Sequence, residues 1–284
     1  MATAAQAGTV VVYGRSVEGR DLVAIELPGD GPEVWVTAGI HGIEFIGVAT
    51  ALAILAAGPL PGARLVVCPV LNPDAYAATE GGARRRVNAR GVDLNRNFPL
   101  PYGARPSRWS ALGAGSNRPG DHTYRGPNPR SEPETDALAA LIEARRPHAS
   151  ANLHSAFGTL FCARVWHPSD WQGYRALTRA FRAGQPGPRR YCRVGTPVFD
   201  VFTGELEDWQ HHVMQCWAVC VECFGWWEAW AQRRETDPFW RFNPRDPAPI
   251  AARDAAAVRA MLGASAALPR PPLRPGASDA RPGW

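Results

Sequence analysis

A chain of 284 residues, 45% of them hydrophobic, can bury the core of one large α/β domain or two small ones. No apolar run is long enough to cross a membrane, and the opening MATAAQAGTVVVYG lacks a basic-then-apolar secretory leader, so the chain reads as cytoplasmic with no membrane partner. The formal charge of +5 is carried by arginine alone, lysine being absent, and the densest run is only 84-RRRVNAR-90; the chain therefore reads as having no nucleic-acid partner.

In chain order, 10-VVVYG-14, 21-DLVAIEL-27 and 33-EVWVTAGI-40 read as strands, and residues 44–57 as an Ala-rich helix stopped by Gly58-Pro59. The continuous apolar run 64-RLVVCPVL-71 suits a strand covered on both faces. Strand, helix, strand implies a crossover unit, hence an α/β fold: a single domain with a mixed, mainly parallel central sheet flanked by helices. Residues 99–130 form a long loop rich in Gly, Pro, Ser and Arg, which marks a functional or mobile segment. In 131-SEPETDALAALIEARRP-147, Ser131 and Glu134 predict a capping box ahead of a helix. A strand follows near 148–155, a helix near 171–183, a strand at 216–224 and a last helix near 247–263. The catalytic unit is expected over 8–263, and the Pro/Arg-rich tail 264–284 is expected to be disordered.

Three of the six cysteines fall in 216-CWAVCVEC-223. In a strand Cys220 and Cys223 point to opposite faces and cannot chelate together, so they read as small buried hydrophobes, with all six reduced.

The chemistry starts at 39-GIHGIEFIG-47, where His41 and Glu44 sit between a strand end and the first turn of a helix. Both can face one ion from there. A catalytic zinc needs three protein ligands and an open position. Among the other histidines, His154 is best placed, because 150-SANLHS-155 reads as the exit of another central strand and sites gather where such strands end. His122 and His167 lie in polar loops, and His211-His212 reads as a solvated pair. Glu222, inside AVCVECFGW, is the acid hardest to explain structurally, and suits a base facing an ion-bound water. Asn95 and Arg96 add a pair fitted to a carboxylate or an oxyanion. The same donor set accepts other divalent ions besides zinc.

Together 41-HGIE-44, 72-NPD-74, 91-GVDLNRNFP-99, 131-SEPET-135, 153-LHS-155 and the late Glu222 resemble the zinc carboxypeptidases of the carboxypeptidase A clan. The opening 13-YGRSVEGRDL-22 is most similar to the bacterial murein-peptide amidase branch, and the resemblance runs from Tyr13 to Phe224. It implies one zinc ion held by His41, Glu44 and His154, with Glu222 as general base. It implies Asn95 and Arg96 on the substrate's free carboxylate, and Arg86, ahead of Val87-Asn88, polarising the carbonyl, with Arg84, Arg85 and Arg90 as rivals. Glu207 and Asp208, in 204-GELEDW-209, fall where relatives set pocket specificity; acids there would favour an amine or guanidinium. Ile43 replaces an arginine common between the two ligands. The mobile tyrosine expected of the family aligns with Phe199 and Asp200, the nearest tyrosine being Tyr191.

The implied function is zinc-dependent hydrolysis of a C-terminal amide bond in a peptide, cell-wall-derived or ending in a basic residue. The alternatives are an N-acyl amino acid deacylase of the succinylglutamate desuccinylase and aspartoacylase type, and a catalytically silent binding module. The implied partner is a peptide or N-acyl amino acid with a free carboxylate.

Overall fold

A computed structural model describes residues 8–101, 115–194, 203–237 and 239–274. Strands β1 (Thr9–Arg15), β2 (Asp21–Leu27) and β3 (Glu33–Ala38) lead into helix α1 (Phe45–Ala56), strand β4 (Arg64–Cys68) and helix α2 (Pro73–Glu80). A 3₁₀ turn at Leu94–Arg96 precedes α3 (Pro133–Arg145), β5 (Ala149–Phe157), β6 (Thr159–Cys162) and α4 (Pro168–Gly184). Then come β7 (Cys192–Val194), α5 (Leu206–His212), β8 (Trp217–Gly225), α6 (Trp226–Ala231), α7 (Phe239–Phe242) and α8 (Ala248–Ser265).

All eight strands join one mixed sheet in the order β1-β2-β4-β3-β5-β8-β6-β7. Its centre, β4-β3-β5-β8, is parallel, and the β1-β2, β2-β4 and β6-β8 pairs are antiparallel. The period-2 alternation of strands divides the core. Val34, Val36, Leu65, Val67, Val219 and Val221 face the layer of α1, α4 and α8, whereas Trp35 and Val66 face Leu138 and Ile142 of α3 and Trp209 of α5. With both faces covered, β3 has no exposed residue, while edge strand β1 leaves Val10 and Val12 in solvent. Each fully buried Val or Leu contributes about 1.5–3 kcal/mol, so the central strands anchor whatever sits at their ends.

Two expectations need correction. No Ser131–Glu134 capping box forms: Glu132 is the N-cap residue and its side chain makes no cap bond. Asn97 does that work from a distance, its Oδ1 accepting from Glu132 N at 3.3 Å and Thr135 Oγ1 at 2.7 Å. Glu134 reaches away to accept from Val17 N and Asn88 Nδ2. The tail expected to be disordered from 264 is packed as far as Arg274. Helix α8 runs to Ser265, Trp217 Nε1 donates to Pro269 O at 2.8 Å, and Arg274 binds Asp170 at 2.7 Å. Among the described residues no helix is long and apolar enough to cross a membrane.

Candidate metal and substrate site

At the end of β3 the chain turns through Gly39, whose φ is +63°, and so brings His41 over the carboxyl edge of the sheet. Gly42 follows because a Cβ there would sit 2.4 Å from the backbone of Ala75 in α2. Glu44 occupies the N-cap position of α1 without capping it. Asn243 caps instead, accepting from Ile46 N at 3.1 Å and donating to Ile43 O at 2.6 Å. That leaves the Glu44 carboxylate free to face inward.

His41 Nδ1 lies 2.8 Å from Glu44 Oε1, and His154 Nδ1, from β5, lies 3.2 Å from Glu44 Oε2. One donor atom from each of the three residues falls within 4.8 Å of the others, and all three side chains are buried. On the outer side His41 Nε2 meets Asp93 Oδ1 at 3.0 Å, and His154 Nε2 lies 3.5 Å from the Asn95 side-chain nitrogen. Inner nitrogens converging on a carboxylate, with the outer nitrogen of His41 held by a second carboxylate, fit a pair of metal-ligating histidines. Two imidazoles and a carboxylate are a donor set suited to zinc. Burial would raise the Glu44 carboxyl, but His41 and His154 overrule it and hold it well below the usual range. A second cluster, His154, Cys220 and Glu222, is a poorer fit, since burial and then Glu207 and Glu222 keep the Cys220 thiol protonated.

Residues pairing across β5 and β8 put His154 opposite Glu222. Burial pushes the Glu222 carboxyl up to about 8, with His154 and Arg86 opposing. Its Oε1 accepts only a weak thiol contact from Cys220 at 3.9 Å, and its buried Oε2 has no partner. A buried carboxylate oxygen left unsatisfied asks for a ligand. Of Arg84, Arg85, Arg86 and Arg90, Arg86 alone lines the cavity. Its guanidinium binds Asp93 Oδ2 at 2.9 and 3.2 Å and approaches Glu44 Oε1 at 3.5 Å, whereas Arg84 is exposed on Asp237. Asp93 thus ties Arg86 to His41, a linking role that sequence reading missed although the residue stands inside GVDLNRNFP.

The cavity holds about 270 Å³ and is lined by the three candidate ligands, Glu222, Arg86, Asn95, Arg96 and Glu207. Asn95 Oδ1 accepts from Leu206 N at 3.0 Å, tying the 3₁₀ turn to α5. Arg96 Nη1 pairs with Glu205 at 3.1 Å, and Arg164 Nη1 pairs with the other oxygen of Glu205 at 2.6 Å. Burial and the nearby Glu205 raise the Glu207 carboxyl, whose Oε2 is buried without a hydrogen-bond partner.

Asp208, expected beside Glu207 in the same role, does not line the cavity. It accepts from Arg164 N at 2.9 Å and from the Arg164 guanidinium. Tyr191 is also elsewhere: its hydroxyl donates to Asp254 at 2.5 Å and accepts from Arg253. Phe199 and Asp200 lie outside the described residues. Arg164 and Glu205 were missed because nothing local marks them; their pairing exists only once the N-cap of α5 meets the segment after β6.

The His211-His212 pair is not solvated. Both rings are buried, His211 Nδ1 on Tyr174 Oη at 2.9 Å and His212 Nε2 on Arg164 O at 2.6 Å. Burial, then neighbouring His211, pulls His212 down to about 3. An unfolded histidine takes up a proton below about 6.5, so this group stabilises the fold above that pH and loses its contribution as pH falls toward 3. Between pH 7 and 5 the loss is about 2 kcal/mol. In urea melts at the two pH values, His212→Gln should remove that part of the pH dependence. An unchanged pH slope in the variant would contradict the assignment.

The fold and this cluster define an α/β protein with a buried His₂-carboxylate set of candidate metal ligands at the edge of its sheet. The chain belongs to the zinc carboxypeptidase family, whose sequence profile matches residues 2–57 and 60–227. It is 34% identical over 164 residues to carboxypeptidase A6 of Homo sapiens, a match covering 49% of this chain and 36% of that protein. It is 32% identical over 165 residues to murein peptide amidase A of Escherichia coli K12, covering 56% of this chain and 64% of that protein. The chain thus spans little more than a third of the first relative's length. Solved structures share the fold. Carboxypeptidase A from Helicoverpa armigera has a TM-score of 0.74 at 21% identity, over 92% of this chain and 69% of that one. Murein-tripeptide amidase from Escherichia coli O157 has a TM-score of 0.54 at 24% identity, over 84% and 93%.

Proposed function

We propose that this protein is a zinc-dependent exopeptidase that hydrolyses the C-terminal amide bond of a peptide. The observation that carries the reading is one small cavity shared by the ligand cluster, the unpartnered Glu222 carboxylate and the Arg96 guanidinium. Bound by His41, Glu44 and His154, zinc would supply Lewis acidity toward the scissile carbonyl and lower the pKa of a water. Glu222 takes the proton of the attacking water and delivers it to the leaving amine. Arg86, fixed by Asp93, donates to the oxyanion as charge develops. Arg96 and Asn95 hold the terminal carboxylate, which sets the scissile bond one residue from the chain end.

Glu207 gives the leaving residue its identity: a cationic side chain such as Lys, Arg or a diamino acid, peptides from cell walls among the sources. The reading places the reaction in the cytoplasm, supported by six cysteines that are all unpaired.

The test is a panel of peptides with free and amidated C termini, beside N-acyl amino acids, with the zinc-loaded protein. Release of the last residue from free peptides alone is expected, and chelation should abolish it. Preferential cleavage of N-acyl amino acids would replace the reading with a deacylase, and no turnover anywhere would replace it with a silent binding module.

A further inference from the structure

Away from the metal cluster, α4 and the approach to β7 enclose an open groove of about 630 Å³. Its walls carry Arg175, Arg179 and Arg182 from α4 and Arg190 and Arg193 from the segment running through β7, with no carboxylate among the described lining residues. The spacing of the three helical arginines places them on one face, where like charges cost helix stability. Arg190 is steadied by Gly187 O, and the Arg193 guanidinium lies 4.6 Å from the Trp171 ring centroid.

Several arginines elsewhere are matched by acids: Arg130 with Asp136 and Glu143, Arg145 with Glu26 and Glu33, Arg245 with Glu235. None of the five groove arginines has an ion pair among the described residues. The one acid on α4, Asp170, is committed to Arg274 and lies near His211.

We propose that this groove is a second binding site, for a compact ligand carrying a chain of phosphates. Five guanidiniums converging on a concavity focus positive potential. Their planar forks match phosphate oxygens in pairs, and the volume suits a small molecule better than a flat polymer face would. The phosphate chain can be inorganic or belong to a nucleotide.

Titration calorimetry of the zinc-loaded protein with inorganic tripolyphosphate tests the proposal, with ATP as the second arm and sulfate at matched ionic strength as control. Saturable one-to-one binding is expected, weakening at least about tenfold from low to several-fold higher salt as the charges are screened. The double variant R179Q/R182Q, altered only on exposed side chains, should bind at least about tenfold more weakly while keeping the wild-type melting temperature. Equal affinity for the two ligands assigns the site to the phosphate chain, and much tighter ATP assigns it to a nucleotide. No saturable binding, equal competition by sulfate, or full affinity in the double variant (as binding at the zinc would give) overturns it.

Discussion

Glu222→Gln is expected to lower kcat about 10³-fold while zinc content and KM stay close to wild type. The amide keeps the size and one acceptor of the carboxylate but cannot accept the water's proton, and a factor of that size corresponds to about 4 kcal/mol of barrier. Glu222 faces His154 across β5 and β8 but has no hydrogen bond to His41, Glu44 or His154 among the described residues, so the ligands should stay in place. The Oε2 atom has no partner to lose, and Cys220 offers only its thiol at 3.9 Å, so folding should be little affected. The readouts are single-turnover hydrolysis, metal analysis and a thermal melt. Retention of wild-type kcat with zinc bound would remove Glu222 from the mechanism. A variant that loses zinc or melts early is answered by Glu222→Asp, which keeps the charge, shortens the reach and should recover part of kcat.

The parts of this centre that were legible in sequence are those set by local geometry. His41 and Glu44 could be read because a strand end and a helix start bring them to one side. Glu222 stood out because a carboxylate within an apolar strand needs a reason. The parallel centre of the sheet followed from continuous apolar runs. What stayed hidden depends on pairings between distant segments. Asp93 was quoted but given no role, because its bonds run to His41 and Arg86. The acids at the start of α5 read as one exposed or pocket-facing turn, yet Glu205 and Asp208 are held by Arg164, and Glu207 is left in the cavity without an ion pair among the described residues. The histidine pair looked polar, and only Tyr174 and the Arg164 carbonyl make its burial tolerable. Short β6 and β7 carry too few residues for a periodic signal, although β6 supplies the antiparallel partner that covers the Glu222 strand.

That division among three neighbouring acids yields the second large effect, on selectivity. Arg164 and Arg96 bring two positive charges to the wall of the cavity, and Glu205 with Asp208 neutralises them. Glu207 is then the acid without an ion pair among the described residues, and burial and the nearby Glu205 raise its carboxyl against the smaller opposing pull of His154 and Arg164. A leaving residue with an ammonium or guanidinium would supply the pairing charge, lower the carboxyl's pKa and satisfy Oε2 in a water-poor site. Truncating one partner of a buried charge pair costs about 2–5 kcal/mol, so Glu207→Gln should reduce kcat/KM for C-terminal Lys or Arg by at least about thirtyfold. For a C-terminal Leu or Phe the same variant should be unchanged or improved, because an unpaired acid no longer has to be buried against an apolar side chain. Asp208→Asn should leave the basic-to-apolar ratio near wild type and lower the melting temperature, since its carboxylate holds Arg164 rather than substrate. If Glu207→Gln leaves the ratio unchanged, the cavity selects on something other than this charge. If Asp208→Asn is the variant that shifts it, Arg164 must swing away on binding and the assignment between the two acids is reversed.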